Sequence, residues 1–358
     1  MTAETSIEKT AETIISLHQV DGGYDHQVIV QDINLAVNRG EIISLLGPSG
    51  SGKTTILRAL AGFDPIFNGE ISLRNQVISK KGFTLAPEHR KIGMVFQDYA
   101  LFPHLSVFEN IAFGLKGKSR QEKQSQVNEL LTMVNLLDTA QRYPHELSGG
   151  QQQRIALARA LATTPEILLM DEPFSNLDIE LRRRLSAQVC AELRQRNITC
   201  ILVTHDQDEA FTVSDSIAVL KAGVLQQWNT PYELYHKPCN RFVATFIGQG
   251  SFIRGTVIDK QTIKTEAGAL STNSTGNWTK GCSMDVLIRP DDVMLDMSYP
   301  QKAHITEKTF HGAVTLYKLR LPSGASIESL VPSHKDFSSG SDIGFKINAD
   351  HLVAFSNQ

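Results

Sequence analysis

The segment Gly47-Pro48-Ser49-Gly50-Ser51-Gly52-Lys53-Thr54-Thr55 lies between a short apolar run, Glu41 to Leu46, and a stretch of helical spacing, Lys53 to Ala61. In that stretch Ile56, Leu57 and Leu60 share one face, and Gly62 stands where a helix C-cap favours glycine. Gly47, Gly52, Lys53 and Thr54 satisfy G-x-x-x-x-G-K-[ST]. Glycines let successive backbone N–H groups turn inward around an anion, and the positive end of the following helix faces the same point. Lys53 would place a cation on the outer phosphates of a nucleotide, and Thr54 would offer a hydroxyl to Mg²⁺. Strand, glycine-rich loop and helix in this order commit the chain to an α/β domain. A chance glycine-rich turn would need neither flank.

The elements that follow agree. Thr13 to Leu17 and Val28 to Leu35 read as strands, Gly69 to Phe96 as a further strand-and-turn region, and Pro103 to Pro144 mainly as helices. Ser119 with Glu122 has capping-box spacing before a helix predicted to run towards Leu137. Ser148 to Ala162 and Leu181 to Arg196 read as helices, and Ile198 to Val203 as a buried strand. Asp206 to Phe211 starts a helix, Ile217 to Leu220 and Val224 to Gln227 form a hairpin, and Thr230-Pro231-Tyr232-Glu233 is a second capping box. After Gly248 short β-like pieces alternate with turn residues: Gly255 to Ile258, Val286 to Arg289, His304 to Phe310, Val314 to Leu321 and Leu352 to Phe355. The chain has 358 residues, the length of two domains.

Composition excludes several classes. The net charge of -3 gives no general attraction to nucleic acid. The four cysteines are scattered, without a CxxC pair or Cys/His cluster, so a zinc site is not expected. Met1 to Thr10 is polar, unlike a secretory signal, and no apolar run approaches a membrane span.

A second motif, Ile167-Leu168-Leu169-Met170-Asp171-Glu172, is a buried strand that presents two carboxylates at its C-terminal end, where open α/β sheets bind ligands. Asp171 would hold Mg²⁺, and Glu172 would polarise the attacking water, an effect worth about 10²–10⁴-fold in rate. A third, Leu147-Ser148-Gly149-Gly150-Gln151, is a second helix start with an open backbone and a hydroxyl, and so a second anion site.

This pentapeptide, about 95 residues after Lys53 and about 20 before Asp171, resembles the signature of ABC ATPases. The resemblance implies that Ser148, Gly149, Gly150 and Gln151 cover ATP held by a facing subunit, in a head-to-tail homodimer with two sandwiched ATP molecules. Gln97, after Met94-Val95-Phe96, matches the glutamine that reaches Mg²⁺ and the water. Ser175-Asn176-Leu177-Asp178 matches the loop that crosses the dimer interface, with Asp178 at its end. His205, after Leu202-Val203-Thr204, matches the switch histidine at the γ-phosphate, and Tyr24 is the candidate to stack on adenine. Residues 13–240 then form the nucleotide-binding domain, a mixed sheet with a helical subdomain at about 98–147. Residues 241–358 resemble the OB-like, TOBE-type β-barrel of binding-protein-dependent importers, with Ile288-Arg289-Pro290-Asp291-Asp292 as a recurring piece.

The family further implies integral membrane permease partners, docked near Asp98 to Leu105, and indirectly a periplasmic solute-binding protein. It implies a place on the cytoplasmic face of a bacterial inner membrane. The stretch Lys80 to Arg90 resembles ferric iron importers, with polyamine, sulfate and sugar importers as alternatives. A soluble ABC ATPase usually carries two nucleotide domains or a long coiled coil, and a P-loop kinase lacks the signature. The chain has one P-loop, one signature and no heptad run.

Overall fold

A computed structural model of the chain describes residues 12–25, 27–272, 278–348 and 351–356; the polar stretch Met1 to Thr10 lies outside them. The chain divides into two compact units, Met1–Pro231 and Tyr232–Gln358.

The first unit opens with a long hairpin, β1 (Thr13–Tyr24) and β2 (Gln27–Asn38), followed by β3 (Ile42–Leu46) and helix α1 (Lys53–Ala61). Strands β4 (Ile66–Leu73), β5 (Gln76–Lys80) and β6 (Phe83–Thr84) join the hairpin in an antiparallel sheet of order β2-β1-β4-β5-β6. Then come α2 (Pro87–Arg90), β7 (Ile92–Val95), α3 (Val107–Ala112), α4 (Arg120–Met133), α5 (Gly149–Ala162) and β8 (Ile167–Asp171). The unit finishes with α6 (Ile179–Gln195), β9 (Thr199–Thr204), α7 (Gln207–Val213), β10 (Ser216–Lys221) and β11 (Val224–Asn229).

The second sheet has the order β11-β10-β3-β9-β8-β7 and is parallel except for β11, a mixed sheet as expected. Its central strands are buried along their whole length, because both faces are covered. Alternate residues feed two cores. Ile42, Leu168, Met170, Cys200 and Leu202 face the core shared with the helices, and Ile43, Leu45, Leu169, Ile201 and Val203 face the core shared with α1 and the antiparallel sheet.

Helix α1 ends at Gly62, at φ 88, where a Cβ would lie 2.4 Å from Arg90 Nε. The absent side chain admits the Arg90 guanidinium, itself 1% exposed. It donates to the carbonyls of Ala59 (2.9 Å), Leu60 (2.8 Å), Leu85 (2.8 Å) and Ile78 (3.2 Å), and to Ser79 Oγ (2.8 Å). A cation at the carbonyl end of α1 opposes the helix dipole there. Burial lowers its pKa to about 10, which leaves it charged at neutral pH. The stretch Lys80 to Arg90 is thereby tied to the helix that follows the glycine-rich loop.

The second unit starts within α8 (Pro231–His236), at Tyr232, includes α9 (Arg241–Phe246) and continues mainly in strands, with a 3-10 turn at Pro290–Asp292. β12 (Ser251–Val257), β13 (Thr262–Thr265), β14 (Gly268–Ser271), β15 (Ser283–Ile288) and β21 (Val353–Ser356) make one antiparallel sheet. β16 (Val293–Leu295), β17 (Gln301–Phe310), β18 (Val314–Arg320), β19 (Ser326–Pro332) and β20 (Asp342–Ile347) make the other. Both sheets feed one core, and the second curls nearly shut: Ser329 Oγ on β19 donates to Val293 O on β16 at 2.5 Å. Arg289 is 3% exposed. It donates to Ala244 O, Gly248 O, Gln249 O and Tyr235 O within 3.0 Å and lies over the Tyr235 ring, binding α8 and α9 to the strands.

Replacing Arg90 by Ala would leave buried carbonyls without donors. The expected loss is about 3 kcal/mol of stability in the first unit, read as a lower urea midpoint. An unchanged midpoint would mean that those carbonyls need no cation.

Candidate functional site

Four neighbouring parallel strands end at the same level. Leu46 of β3 pairs with Thr204 of β9, Val203 with Asp171 of β8, and Met170 with Val95 of β7. The residues that leave these ends are Gly47, His205, Glu172 and, two positions past Val95, Gln97. The register of one sheet thus brings four separate sequence segments to a common edge.

The loop after β3 passes into α1 through Gly52 at φ 96, where a Cβ would lie 2.2 Å from Val30 Cγ1. Lys53 is buried; its ammonium donates to Gly47 O (2.8 Å) and Pro48 O (3.0 Å). Burial lowers the Lys53 pKa, and the carboxylates of Glu172 and Asp171 oppose that shift. Ser51 Oγ is buried with no hydrogen-bond partner among the described residues. Thr55 Oγ1 donates to Tyr24 Oη at 3.2 Å, which sets the half-exposed ring of Tyr24 beside the first turn of α1.

Thr54 Oγ1 donates to Asp171 Oδ1 at 3.3 Å. Burial raises the Asp171 pKa, the Thr54 hydrogen bond lowers it, and Glu172 raises it further. Two hard oxygen donors, one on a buried carboxylate, fit a divalent cation such as Mg²⁺ that takes its remaining ligands from water and phosphate. Glu172 sits at φ 48, a left-handed conformation rare for a residue with a side chain. Its backbone is held on every side. Its N–H donates to Val203 O (2.9 Å), and its carbonyl accepts from Gln153 Nε2 (3.0 Å) and Ser175 Oγ (3.1 Å). The held backbone aims the Glu172 carboxylate at His205, whose Nδ1 lies 3.2 Å from Oε1.

Ser148 caps α5 in a capping box with Gln151. Its hydroxyl accepts from Gln151 N (3.3 Å), and Gln151 Oε1 accepts from Ser148 N (2.9 Å). The hydroxyl proton remains to donate to an anion. The neighbours of this helix start are not the glycine-rich loop. A Cβ on Gly149 would lie 3.7 Å from Tyr99 Oη, and one on Gly150 2.9 Å from Leu177 Cδ2. Asp178 caps α6 through Leu181 N at 2.9 Å. Tyr99 and Ala100, at φ 64 and 44, form a tight bend after the exposed Gln97. Arg159 of α5 holds the bend by donating to Tyr99 O (3.2 Å) and Ala100 O (2.6 Å), and Asn176 Nδ2 donates to Tyr99 Oη.

Direct contacts therefore join Tyr24, the loop, Asp171, Glu172 and His205, whereas Ser148 to Gln151 lie beside Tyr99 and residues 176–177 of the same chain. Sequence reasoning missed Gln153, Arg159, Arg182 and Glu209, which hold these loops from a distance. The one local signal was a glutamine, Gln153, on the otherwise apolar buried face of α5.

Glu209 is the most perturbed carboxyl here. Burial pushes its pKa up from 4.5 to about 7, against a hydrogen bond from Thr204 Oγ1 at 2.6 Å. A carboxyl with a raised pKa takes up a proton in the folded state, so its contribution is full below about pH 4.5 and is lost as pH rises through about 7. Glu209→Gln should therefore flatten the decline in stability between those limits, by on the order of 3 kcal/mol. Thermal melts from pH 4.5 to 8 check this, and an unchanged slope would place the titration elsewhere.

Residues 30–175 match the ABC transporter family and residues 286–355 match the TOBE domain. The spermidine/putrescine import ATP-binding protein PotA of Vibrio parahaemolyticus is 40% identical over 334 residues, 89% of this chain and 87% of its own. The Fe(3+) ions import ATP-binding protein FbpC 2 of Pectobacterium atrosepticum is 39% identical over 350 residues, 95% of this chain and 100% of its own. Among solved structures, the dimeric post-hydrolysis state of the ATP-binding cassette MJ0796 bound to ADP and Pi is 31% identical. It covers 61% of this chain and 98% of its own, with a TM-score of 0.55. With 39–40% identity along nearly the whole length of both relatives, and with these loops on one sheet edge, the chain belongs to the ABC transporter ATP-binding family, its ATPase fold followed by a TOBE domain.

Proposed function

We propose that this chain is the ATP-hydrolysing subunit of a bacterial importer, working as a head-to-tail homodimer. The observation that carries the reading is the pair of separate anion-binding helix starts. One, at Lys53, adjoins Asp171, Glu172 and His205; the other, at Ser148, adjoins residues 176–177. A single chain then holds half of each composite site.

Backbone N–H groups of Gly47 to Thr55, with Lys53, bind and neutralise the phosphates, and Tyr24 stacks on the adenine. Thr54, Asp171 and Gln97 are the residues to hold Mg²⁺, which when bound offsets phosphate charge. Glu172 accepts a proton from the attacking water, and His205, adjacent to Glu172, orients the γ-phosphate. Ser148 to Gln151 donate to the phosphate of ATP held by the second copy. Because ATP satisfies both anion sites, binding closes the dimer and loss of phosphate lets it open. The bend at Tyr99 and Ala100 opens the segment Asp98 to Leu105, where Phe102 rests on Phe113, itself 56% exposed. This segment suits docking to membrane permease subunits. A periplasmic solute-binding protein would deliver the cargo, with this subunit on the cytoplasmic face of the inner membrane.

For the cargo we favour ferric iron, on the stretch Lys80 to Arg90 and the relatives named for Fe(3+) import. Polyamine is the second reading, favoured by relatives of equal similarity named for spermidine/putrescine import. Uptake of labelled ferric iron and of labelled spermidine, with and without the gene, separates the two. Loss of spermidine uptake alone would replace iron.

Glu172→Gln is expected to retain ATP binding while turnover falls at least about 100-fold, trapping an ATP-dependent dimer on size exclusion; normal hydrolysis would remove Glu172 as the base. Ser148→Arg is expected to block hydrolysis at the wild-type partner's loop in mixed dimers. A wild-type site that keeps its full rate there would argue against the sandwich.

A further inference from the structure

Arg182 stands one turn into α6, just behind residues 175–178, and belongs to none of the motifs above. Its guanidinium makes three bonds. Nη1 donates to Asp206 Oδ2 at 2.6 Å, and Nη2 donates to Ser175 O at 3.2 Å and Leu177 O at 3.1 Å. Asp206 is the residue immediately after His205. Its other carboxylate oxygen, Oδ1, accepts from Glu209 N at 3.0 Å and starts α7, and its own N–H donates to Thr204 Oγ1 at 3.0 Å. Thr204 Oγ1 in turn donates to Glu209 Oε2 at 2.6 Å. Both neighbours of His205 are therefore fixed, while its side chain is 57% exposed and meets Glu172. The far end of the link is equally firm: Ser175 is bonded to Glu172 O, and Asn176 to Tyr99 Oη.

We propose that Arg182 is a positioning residue that makes residues 175–178 and the backbone around His205 move as one piece, so that contact of 175–178 with a second copy sets the reach of His205 towards the phosphate. This rests on the reading above that 175–178 cross the dimer interface. A planar fork reaching a carboxylate and two carbonyls at once fixes both direction and distance, which an ammonium cannot do. The Arg182 guanidinium bonds protein groups, Asp206 and the carbonyls of Ser175 and Leu177, so its loss is expected to remove alignment and leave ATP binding intact.

The test is steady-state hydrolysis by the full-length protein. Arg182→Ala should lower kcat by about 10- to 100-fold, the scale of a misplacement near 1 Å. The KM for ATP should stay within about twofold, and the steepness of the rate against ATP concentration should fall because the two copies no longer report to each other. Arg182→Lys should recover part of kcat, since one ion pair survives. Asp206→Asn, which keeps the N-cap of α7, should show the same split, and the double variant should be no worse than Arg182→Ala alone. A kcat within twofold of wild type in both single variants, or additive losses in the double, overturns the proposal. Glu172→Gln in the same assay keeps the two questions apart. If it still hydrolyses ATP the underlying reading fails, and if it does not while Arg182→Ala is unimpaired, only this inference fails.

Discussion

The level ending of β3, β9, β8 and β7 is the constraint on which the site depends. Parallel strands in register place their last residues side by side, and full burial of both faces removes any freedom to slip, because a one-residue shift would exchange the two cores. Loops anchored at those ends start from fixed positions, which side-chain contacts then refine. The left-handed turn at Glu172 is held by Val203, Gln153 and Ser175, which aims one carboxylate at His205.

A second layer of organisation comes from buried or half-buried arginines. Arg90 gathers the end of α1 and the strands beyond it, Arg159 holds the bend after Gln97, Arg182 bridges two loops, and Arg289 fastens α8 and α9 to the strands of the second unit. Each presents its planar donors to backbone carbonyls, in a fixed fork whose geometry a lysine ammonium does not reproduce. The same chemistry recurs because the loops carry the function, and loops have no ladder to hold them.

What was legible in the sequence was local. The phosphate loop, the capping box at Ser119, the helix start at Ser148, the C-cap at Gly62 and the apolar strand before Asp171 each depend on residues a few positions apart, and each stands where the spacing put it. Helix α4 stops at Met133 rather than continuing to Leu137, because Asn135 turns left-handed at φ 53 and a 3-10 turn takes over at Leu137–Thr139. In the second unit β13, β14, β16, β19 and β20 were not read: β13, β14 and β16 have at most four residues, and Ser, Gly or Asp interrupts the apolar residues of β19 and β20. The helices α8 and α9 belong to that unit through Arg289, a contact about 45 residues away along the chain that no window of periodicity contains. Partners such as Arg182 with Asp206 are separated by 24 positions and are likewise invisible to spacing.

The bend at Tyr99 and Ala100 carries one more consequence, for how such chains drift over evolutionary time. Two successive left-handed residues with side chains are strained, and here the strain is balanced by Arg159 from another helix. At position 100 the backbone alone is under constraint, so glycine is an open substitution and proline, with φ fixed near −65°, is closed. At position 99 the phenol also matters, because it is the link to Asn176, so the neighbouring glycine is closed as well. Adjacent sites in one turn thus face different substitution rules, and the origin of that difference lies 77 residues downstream, at Asn176.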